Sequence, residues 1–368
     1  MSTFEVKVYK IAIEPHPNAD AIELAVVGDY RSIVRKGQFK TGDLAAYIPE
    51  ASLVPDWLIE KLGLVGKLAG PQHNRVKAIK LRGIVSQGLI VSADILAERF
   101  IDSDEDEGQE WCEFLYVGAD LAEFLGITKW EPPIPVHMAG EVWNAYGMTL
   151  KYDIENIKKY PHVFNEDELV LVTEKLHGTW TCFGYNQNSE VPIVTSKGLS
   201  GQGLAFKFNE ENEGNLYVKM YKEVGETLLN NLRAGLAPGL NVYILGEIYG
   251  KGVQDLRYGT TKPAFRAFDI FVSSADGEGR YLTGAEFTLA CREAGIETVP
   301  VLGHGCFTRA RIAELTNGKD TIAGANIREG IVIRPLIENR RDPEIGRVIL
   351  KSVSEAYLLR SGDATEFN

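Results

Sequence analysis

The residues best suited to chemistry lie in VLVTEKLHGTWT, positions 170–181, where an apolar run ends in Glu174, Lys175, Leu176, His177 and Gly178. Lys175 would stand at the end of a buried strand, beside a glycine turn. Loss of water around an ammonium disfavours the charged form, so its pKa should fall from about 10.4 and yield a nucleophilic amine. The same residues also describe a strand-end lysine whose stem carries its ammonium to water. Glu247 lies between two apolar runs in NVYILGEIYG, where a buried carboxylate needs a partner. Lys197 in SKG, Glu329 in EGIVI and Lys351 in VILKS border further apolar stretches. The glycines of GLSGQG, positions 198–203, have the wrong spacing for a dinucleotide turn and read as a flexible loop; neither GxxxxGK[ST] nor HExxH occurs.

The elements that must hold these residues are legible from hydrophobic runs. ELVLVTEKL, NVYILGEIYG, FRAFDIFV, EGIVIRP and GRVILKS are continuous apolar runs of strand length, as in central strands covered on both faces. EGNLYVKMYKEVGETLLNNLRAG and GAEFTLACREAG show apolar spacing near 3.6 and end at Gly, which predicts helices. Between Phe4 and Leu96 the pattern changes to short runs separated by Gly, Asn, Asp and Pro, the spacing of a small β-barrel; about 95 residues suits an OB-type barrel. Residues 56–64 (DWLIEKLGL) read as its one helical insertion. From Ile101 to Leu125 there are nine acids and no Lys or Arg, read as a solvated block, and WEPPIP then stiffens the chain into an extended connection. The expected fold class is α+β: an OB-like domain over 1–100, an acidic, Pro-containing connector over 101–140, and a second β-rich domain with helices over 141–368.

Composition bounds the function classes. The chain has 368 residues, 45% of them hydrophobic, and a formal charge of −12. Fibrous, disordered and membrane-spanning classes are excluded, and no window approaches about 18 uncharged apolar residues. Four scattered cysteines without CxxC exclude a disulfide scaffold or structural zinc, and the absence of a signal-like apolar run reads as cytoplasmic. Global acidity argues against a polyanionic partner, but the block from 101 to 125 alone carries −9. Within the first domain, Tyr30–Thr41 (Arg31, Arg35, Lys36, Lys40) and His73–Gly83 (Arg75, Lys77, Lys80, Arg82) contain no acid, as expected of a surface that tracks a nucleic-acid backbone.

TEKLHGT resembles the nucleophile motif of the covalent nucleotidyltransferases, the superfamily of ATP-dependent RNA ligases, DNA ligases and capping enzymes, and its KxHG resembles the RNA ligase 2-like branch. In the family's order follow SKG, GEIYG, AFDIF, EGIVI and VILKS. Only 352–368 remain after Lys351, too short for a C-terminal OB domain, so the barrel comes first, as in the fifth RNA ligase family. The resemblance implies a nucleotidyltransferase domain of ATP-grasp-like antiparallel sheets with helices.

It further implies that Lys175 attacks ATP to form lysyl-AMP, that Lys197 and Lys351 place positive charge near phosphates, and that Phe268 stacks on adenine. Glu174 would contact the base. His177 and Gly178 would complete the nucleotide site, the histidine near metal-bound water or as a turn-stabilising residue. Glu247 would meet the ribose hydroxyl or a metal-bound water, and Glu329 would hold Mg²⁺ or Mn²⁺, which makes these two the implied metal residues. The implied partner is RNA, as a nicked duplex whose 3′-hydroxyl and 5′-phosphate are joined by a monomer with the OB domain contributing. The sequence departs from the motif at Trp180, where the branch has Asn, and at Ile349, where a second lysine is usual; Arg347 is the nearest cation to replace it. An RNA guanylyltransferase and a non-catalytic RNA-binding protein are the alternatives.

Overall fold

A computed structural model of the chain describes residues 4–101, 115–274 and 278–360. Residues 102–114, with most of the acidic block and Cys112, lie outside the described residues. The described residues form two compact units, one within Thr3–Glu131 and Lys158–Pro161, the other within Pro132–Ile157 and His162–Asn368.

In the first unit, β1 (Val8–Lys10), β5 (Leu44–Ile48) and β9 (Leu89–Ser92) form one sheet in the order β1-β5-β9. A second sheet joins β2 (Ala12–Pro15), β3 (Ile22–Val27) and β4 (Tyr30–Arg35) in sequence order. β7 (Ile79–Leu81) and β8 (Ile84–Ser86) form a hairpin, and β6 (Ser52–Leu53) pairs with β10 (Thr128–Lys129). The expected helix is present over Asp56–Lys61, and a second one, Ala93–Ile101, continues from the SQGLIVSADI run. Of the connector expected over 101–140, residues 115–131 belong to this unit and residues 132–140 to the other. Ala119, Leu121, Leu125 and Ile127 are buried in the same core as Val8, Ile48, Leu58 and Leu96, because GADLAEFLGI is apolar enough to pack. Lys158–Pro161 also belongs here: Lys158 Nζ donates to Gln87 Oε1 at 2.6 Å, the Asp29 amide donates to the Lys158 carbonyl at 2.9 Å, and Lys159 pairs with Glu5 at 3.1 Å. Gly28, at φ +57°, permits this approach, since a Cβ there would lie 2.5 Å from the Lys158 carbonyl oxygen.

The second unit contains two five-stranded sheets and two short pairs, β11 (Val142–Asn144) with β16 (Leu204–Phe206) and β22 (Arg341–Asp342) with β23 (Gly346–Arg347). β12 (Glu155–Asn156), β24 (Leu350–Val353), β21 (Gly330–Pro335), β13 (Leu169–Lys175) and β20 (Val301–Cys306) form one in that order. β15 (Ile193–Ser196), β14 (Gly178–Tyr185), β17 (Asn241–Gly250), β18 (Pro263–Ser273) and β19 (Gly279–Tyr281) form the other. Pairing is antiparallel throughout both sheets except between β12 and β24. Of the uninterrupted apolar runs, NVYILGEIYG and ELVLVTEKL become strands buried on both faces, with nine of the ten residues of β17 and residues 170–174 of β13 buried, whereas β18 and β24 include half-buried positions. Of the expected helices, EGNLYVKMYKEVGETLLNNLRAG forms Leu216–Met220 and Glu226–Ala234 joined by a wider π turn, and packs on Phe183, Ile244 and Ile270. Gly284–Ala294 begins with a Thr283/Glu286 capping box and ends at Gly295 in the left-handed region. The supposed loop GLSGQG is instead partly helical. Ser196 caps a short helix over Lys197–Gly201, its hydroxyl accepting from the Leu199 amide, and this fixes the start of Lys197.

Candidate active site

Lys175 is the last residue of β13, and the turn Leu176–His177 carries the chain from one sheet to the other, where Gly178 opens β14. Gly178 is required by close approach: a Cβ there would stand 2.1 Å from the Ile248 carbonyl oxygen and 3.0 Å from Glu247 Cγ. On the neighbouring strand β21, Gly330 lies opposite Lys175, and a Cβ on it would meet the Ser352 carbonyl oxygen at 2.1 Å. Glu329, just before that glycine, is thereby brought to the nucleophile's strand end. Lys175 Nζ donates to Glu329 Oε1 at 2.6 Å, while Glu329 Oε2 is buried without a hydrogen-bond partner.

The other charged residues converge from separate strands. Glu247 in β17 sits opposite Trp180 on β14, and Lys351 in β24 opposite Val332 on β21. Lys197 opens its helix with Nζ 3.6 Å from Asp153 Oδ1. Burial lowers the Lys351 pKa to about 7, assisted by repulsion from Lys197 and Lys175. Lys197 is lowered by burial and then by Lys175. Glu247 is pushed up to about 8 by burial, against the attraction of Lys175 and with repulsion from Glu329. Five residues far apart in sequence thus share one electrostatic site.

Lys175 itself departs from the expectation. Burial pulls its pKa down, but the charges of Glu329 and Glu247 outweigh burial and leave it above the ordinary lysine value. In the free protein Lys175 is therefore a held ammonium and not the neutral amine that desolvation alone predicts.

Glu174, on the opposite face of β13, is buried. Its Oε2 accepts from the Thr321 amide at 2.9 Å and hydroxyl at 2.5 Å, and Arg328 Nε lies 4.0 Å away. Glu174 Oε1 and Arg328 Nε are buried without a hydrogen-bond partner, which leaves polar capacity at both groups. Thr321 is presented by a loop folded around the Asp320 carboxylate, which accepts four backbone N–H groups from residues 323–326. Phe268 is half-buried, and it is the extra residue of a bulge: Leu245 faces Asp269 while Gly246 faces Ala267. Its ring lies 5.4 Å from that of Tyr152, and it packs beside both the core of Trp180 and the cluster of Leu176, Tyr249 and Tyr258.

Arg347 does not stand among the site lysines' partners. Its guanidinium binds the fully buried Asp269 at 2.5 Å, an acid shared with Arg334 at 3.3 Å and the Tyr152 hydroxyl at 2.9 Å. His177 is buried in a network with Asp255 and Tyr357, residues no motif had singled out. Arg328, Thr321, Asp255 and Tyr357 had no signal in the sequence beyond their types, because each is brought in by a loop, a strand end or the short helix Glu355–Leu358. Among the described residues no group of three or more His, Cys, Asp or Glu side chains is arranged to hold a metal; Glu247 and Glu329 form a pair. No helix among the described residues is long and apolar enough to cross a membrane.

The RNA ligase family model matches residues 168–353, and an OB-fold domain model matches residues 6–93. Among curated protein sequences none matches the chain. Among solved structures, Naegleria gruberi RNA ligase with PPi is 24% identical with a TM-score of 0.76, over 97% of this chain and 98% of that one. A point mutant of the same ligase with ATP and Mn is 24% identical with a TM-score of 0.75, over 96% of this chain and 98% of that one. At that identity the likeness establishes the fold: an OB-fold domain followed by a mixed α+β ligase domain.

Proposed function

The chain belongs to the RNA ligase family, and from that premise we propose that it joins RNA 3′-hydroxyl and 5′-phosphate ends at the expense of ATP, with Lys175 as the covalent nucleophile. The observation that carries the reading is the convergence of Lys175, Glu247, Glu329, Lys197 and Lys351 on one site. The similar Naegleria gruberi ligase with ATP and Mn supports the choice of nucleotide.

Lys175 Nζ attacks the α-phosphorus, a P–N bond forms, and pyrophosphate leaves. The AMP passes to an RNA 5′-phosphate, and a 3′-hydroxyl then displaces AMP as the phosphodiester forms. Splitting one condensation into three phosphoryl transfers leaves the protein the tasks of in-line positioning and charge neutralisation. Lys197 and Lys351 supply cations to the phosphates, and Phe268, lifted by its bulge, supplies an aromatic face for adenine. Glu174 and Arg328 offer their unpartnered atoms to the base.

Glu247 and Glu329 fit a hard divalent cation, Mg²⁺ or Mn²⁺: both are carboxylates, and Glu329 Oε2 is a buried oxygen with no other partner. The bound cation supplies positive charge against the phosphate oxygens. The ammonium of Lys175 must shed a proton before attack, and the carboxylates that stabilise that proton in the free protein are the two that would hold the cation. The preferred substrate is a nicked duplex, and the first unit contributes RNA contacts.

Incubation with ATP labelled at the α-phosphate should label the protein, and Lys175→Ala should abolish the label. Label from GTP alone would instead indicate a guanylyltransferase. No label with either metal would refute enzyme readings altogether and leave an RNA-binding protein.

A further inference from the structure

Two stretches of chain grip the turn after Lys175: the loop between β17 and β18, and the helix Glu355–Leu358 that follows β24. From the loop, Tyr258 OH accepts from the His177 amide at 2.7 Å, and Gln254 Nε2 donates to the Gly178 carbonyl. Asp255 Oδ1 lies 2.8 Å from His177 Nε2. From the helix, the Tyr357 hydroxyl lies 2.8 Å from His177 Nδ1. Arg360 ties the two partners together, with Nε 3.4 Å from Asp255 Oδ2 and its guanidinium 3.7 Å from the Tyr357 ring centroid.

These contacts determine where the imidazole carries its proton. A carboxylate only accepts, so Nε2 must donate to Asp255; a neutral imidazole then has a lone pair on Nδ1, and the Tyr357 hydroxyl donates to it. The assignment matters because Nδ1 is also 3.9 Å from Glu329 Oε2, the unpartnered oxygen of the carboxylate that holds Lys175 through Oε1. In the opposite tautomer Nδ1 would carry a hydrogen available to that oxygen as well as to the Tyr357 hydroxyl.

We propose that Asp255 and Tyr357 are positioning residues that hold His177 as its Nε2–H tautomer, with Nδ1 committed to the Tyr357 hydroxyl, and so keep Glu329 Oε2 open to a divalent cation beside Lys175. This rests on the reading of Lys175 and Glu329 given above. Partners around the ligands of a metal site commonly change metal affinity or activity by about 10- to 100-fold when they are replaced.

The test uses the full chain labelled with ¹⁵N-histidine, with His177→Asn to assign the resonance, together with Mn²⁺ titration followed by electron paramagnetic resonance. Wild type should show a protonated Nε2 and an unprotonated Nδ1. Asp255→Asn, nearly isosteric, should mix the tautomers and weaken Mn²⁺ binding about tenfold. It should also slow lysyl-AMP formation in a way that excess Mn²⁺ restores. Tyr357→Phe keeps the ring under Arg360 and should act in the same direction, so that a misfolded Asp255 variant does not end the test. A wild-type Nδ1–H, or unchanged Mn²⁺ affinity in both variants, overturns the proposal. Failure of wild type to take any label from ATP overturns the ligase reading instead, whatever the tautomer.

Discussion

At the level of single residues, burial is the largest influence on Lys175, Lys197, Glu247 and Lys351, and neighbours decide which way Lys175 moves. Lys351 and Lys175 are both lysines at buried strand positions, yet one is depressed to about 7 and the other raised. The difference lies in company: Lys351 is repelled by two lysines, whereas two glutamates act on Lys175. A polyanionic nucleotide binds protonated Lys351 better, so KM for ATP should rise as pH increases through about 7, and Lys351→Met should flatten that rise. A steep profile retained in Lys351→Met would refute its phosphate contact. The same shift makes a stability prediction. Because the folded chain binds the Lys351 proton more weakly than the unfolded chain, the cost is full below about 7 and fades as pH rises toward the ordinary lysine value near 10.4. Thermal melts of the nucleotide-free Lys351→Met protein should show a gain in Tm below pH 7 that shrinks toward pH 10.

Elements bring in what the motifs alone do not. Each motif residue is placed by a local device: Lys175 by the end of β13, Glu329 by the close approach of Gly330 to β24, Lys197 by the Ser196 cap, and Phe268 by the bulge opposite Leu245 and Gly246. The strand runs were readable because central strands repeat apolar residues without interruption. The bulge was not, since one extra residue leaves the hydrophobic pattern of β18 almost unchanged. Arg347 shows the same limit. Its proximity in sequence to Lys351 suggested a phosphate contact, but the fold commits it to Asp269, with Arg334 on the other oxygen. Asp269→Asn would leave two guanidiniums without their carboxylate, an expected loss of about 3–5 kcal/mol in denaturant unfolding. Arg347→Met should likewise lower stability while KM for ATP stays near wild type; a large KM increase with unchanged stability would return Arg347 to the phosphates. Phe268→Leu should raise KM for ATP more than it lowers Tm, and the reverse would make the ring plain core.

For the whole molecule, net charge is a poor guide to partners. The formal −12 is concentrated in the acidic block, and the first unit has exposed Arg35, Lys36, Lys40, Lys80 and Arg82. The β7–β8 hairpin carries two of these cations beside the exposed Ile79 and Leu81, while Arg75 is withdrawn onto the Trp130 ring at 3.2 Å. Binding through a few phosphates should weaken as salt rises, and replacing Lys36, Lys80 and Arg82 together by Gln should reduce the slope of log K against log salt by about 2–3. A flat salt response in wild type would count against the first unit as an RNA-binding surface.

Sequence by itself determined the local and repetitive features. These are the strand runs, the helix ended by Gly295, the order of the charged motifs from Lys175 to Lys351, and the change from short to continuous runs between the two halves. Tertiary structure decided what depends on residues distant along the chain. It joined Lys158–Pro161 and residues 115–131 to the first unit, reversed the expected shift of Lys175, and enclosed His177 between Asp255 and Tyr357. The physical reason is range: hydrophobic periodicity acts within an element, whereas burial, pKa and hydrogen-bond pairing are set by whichever strands and loops folding brings together.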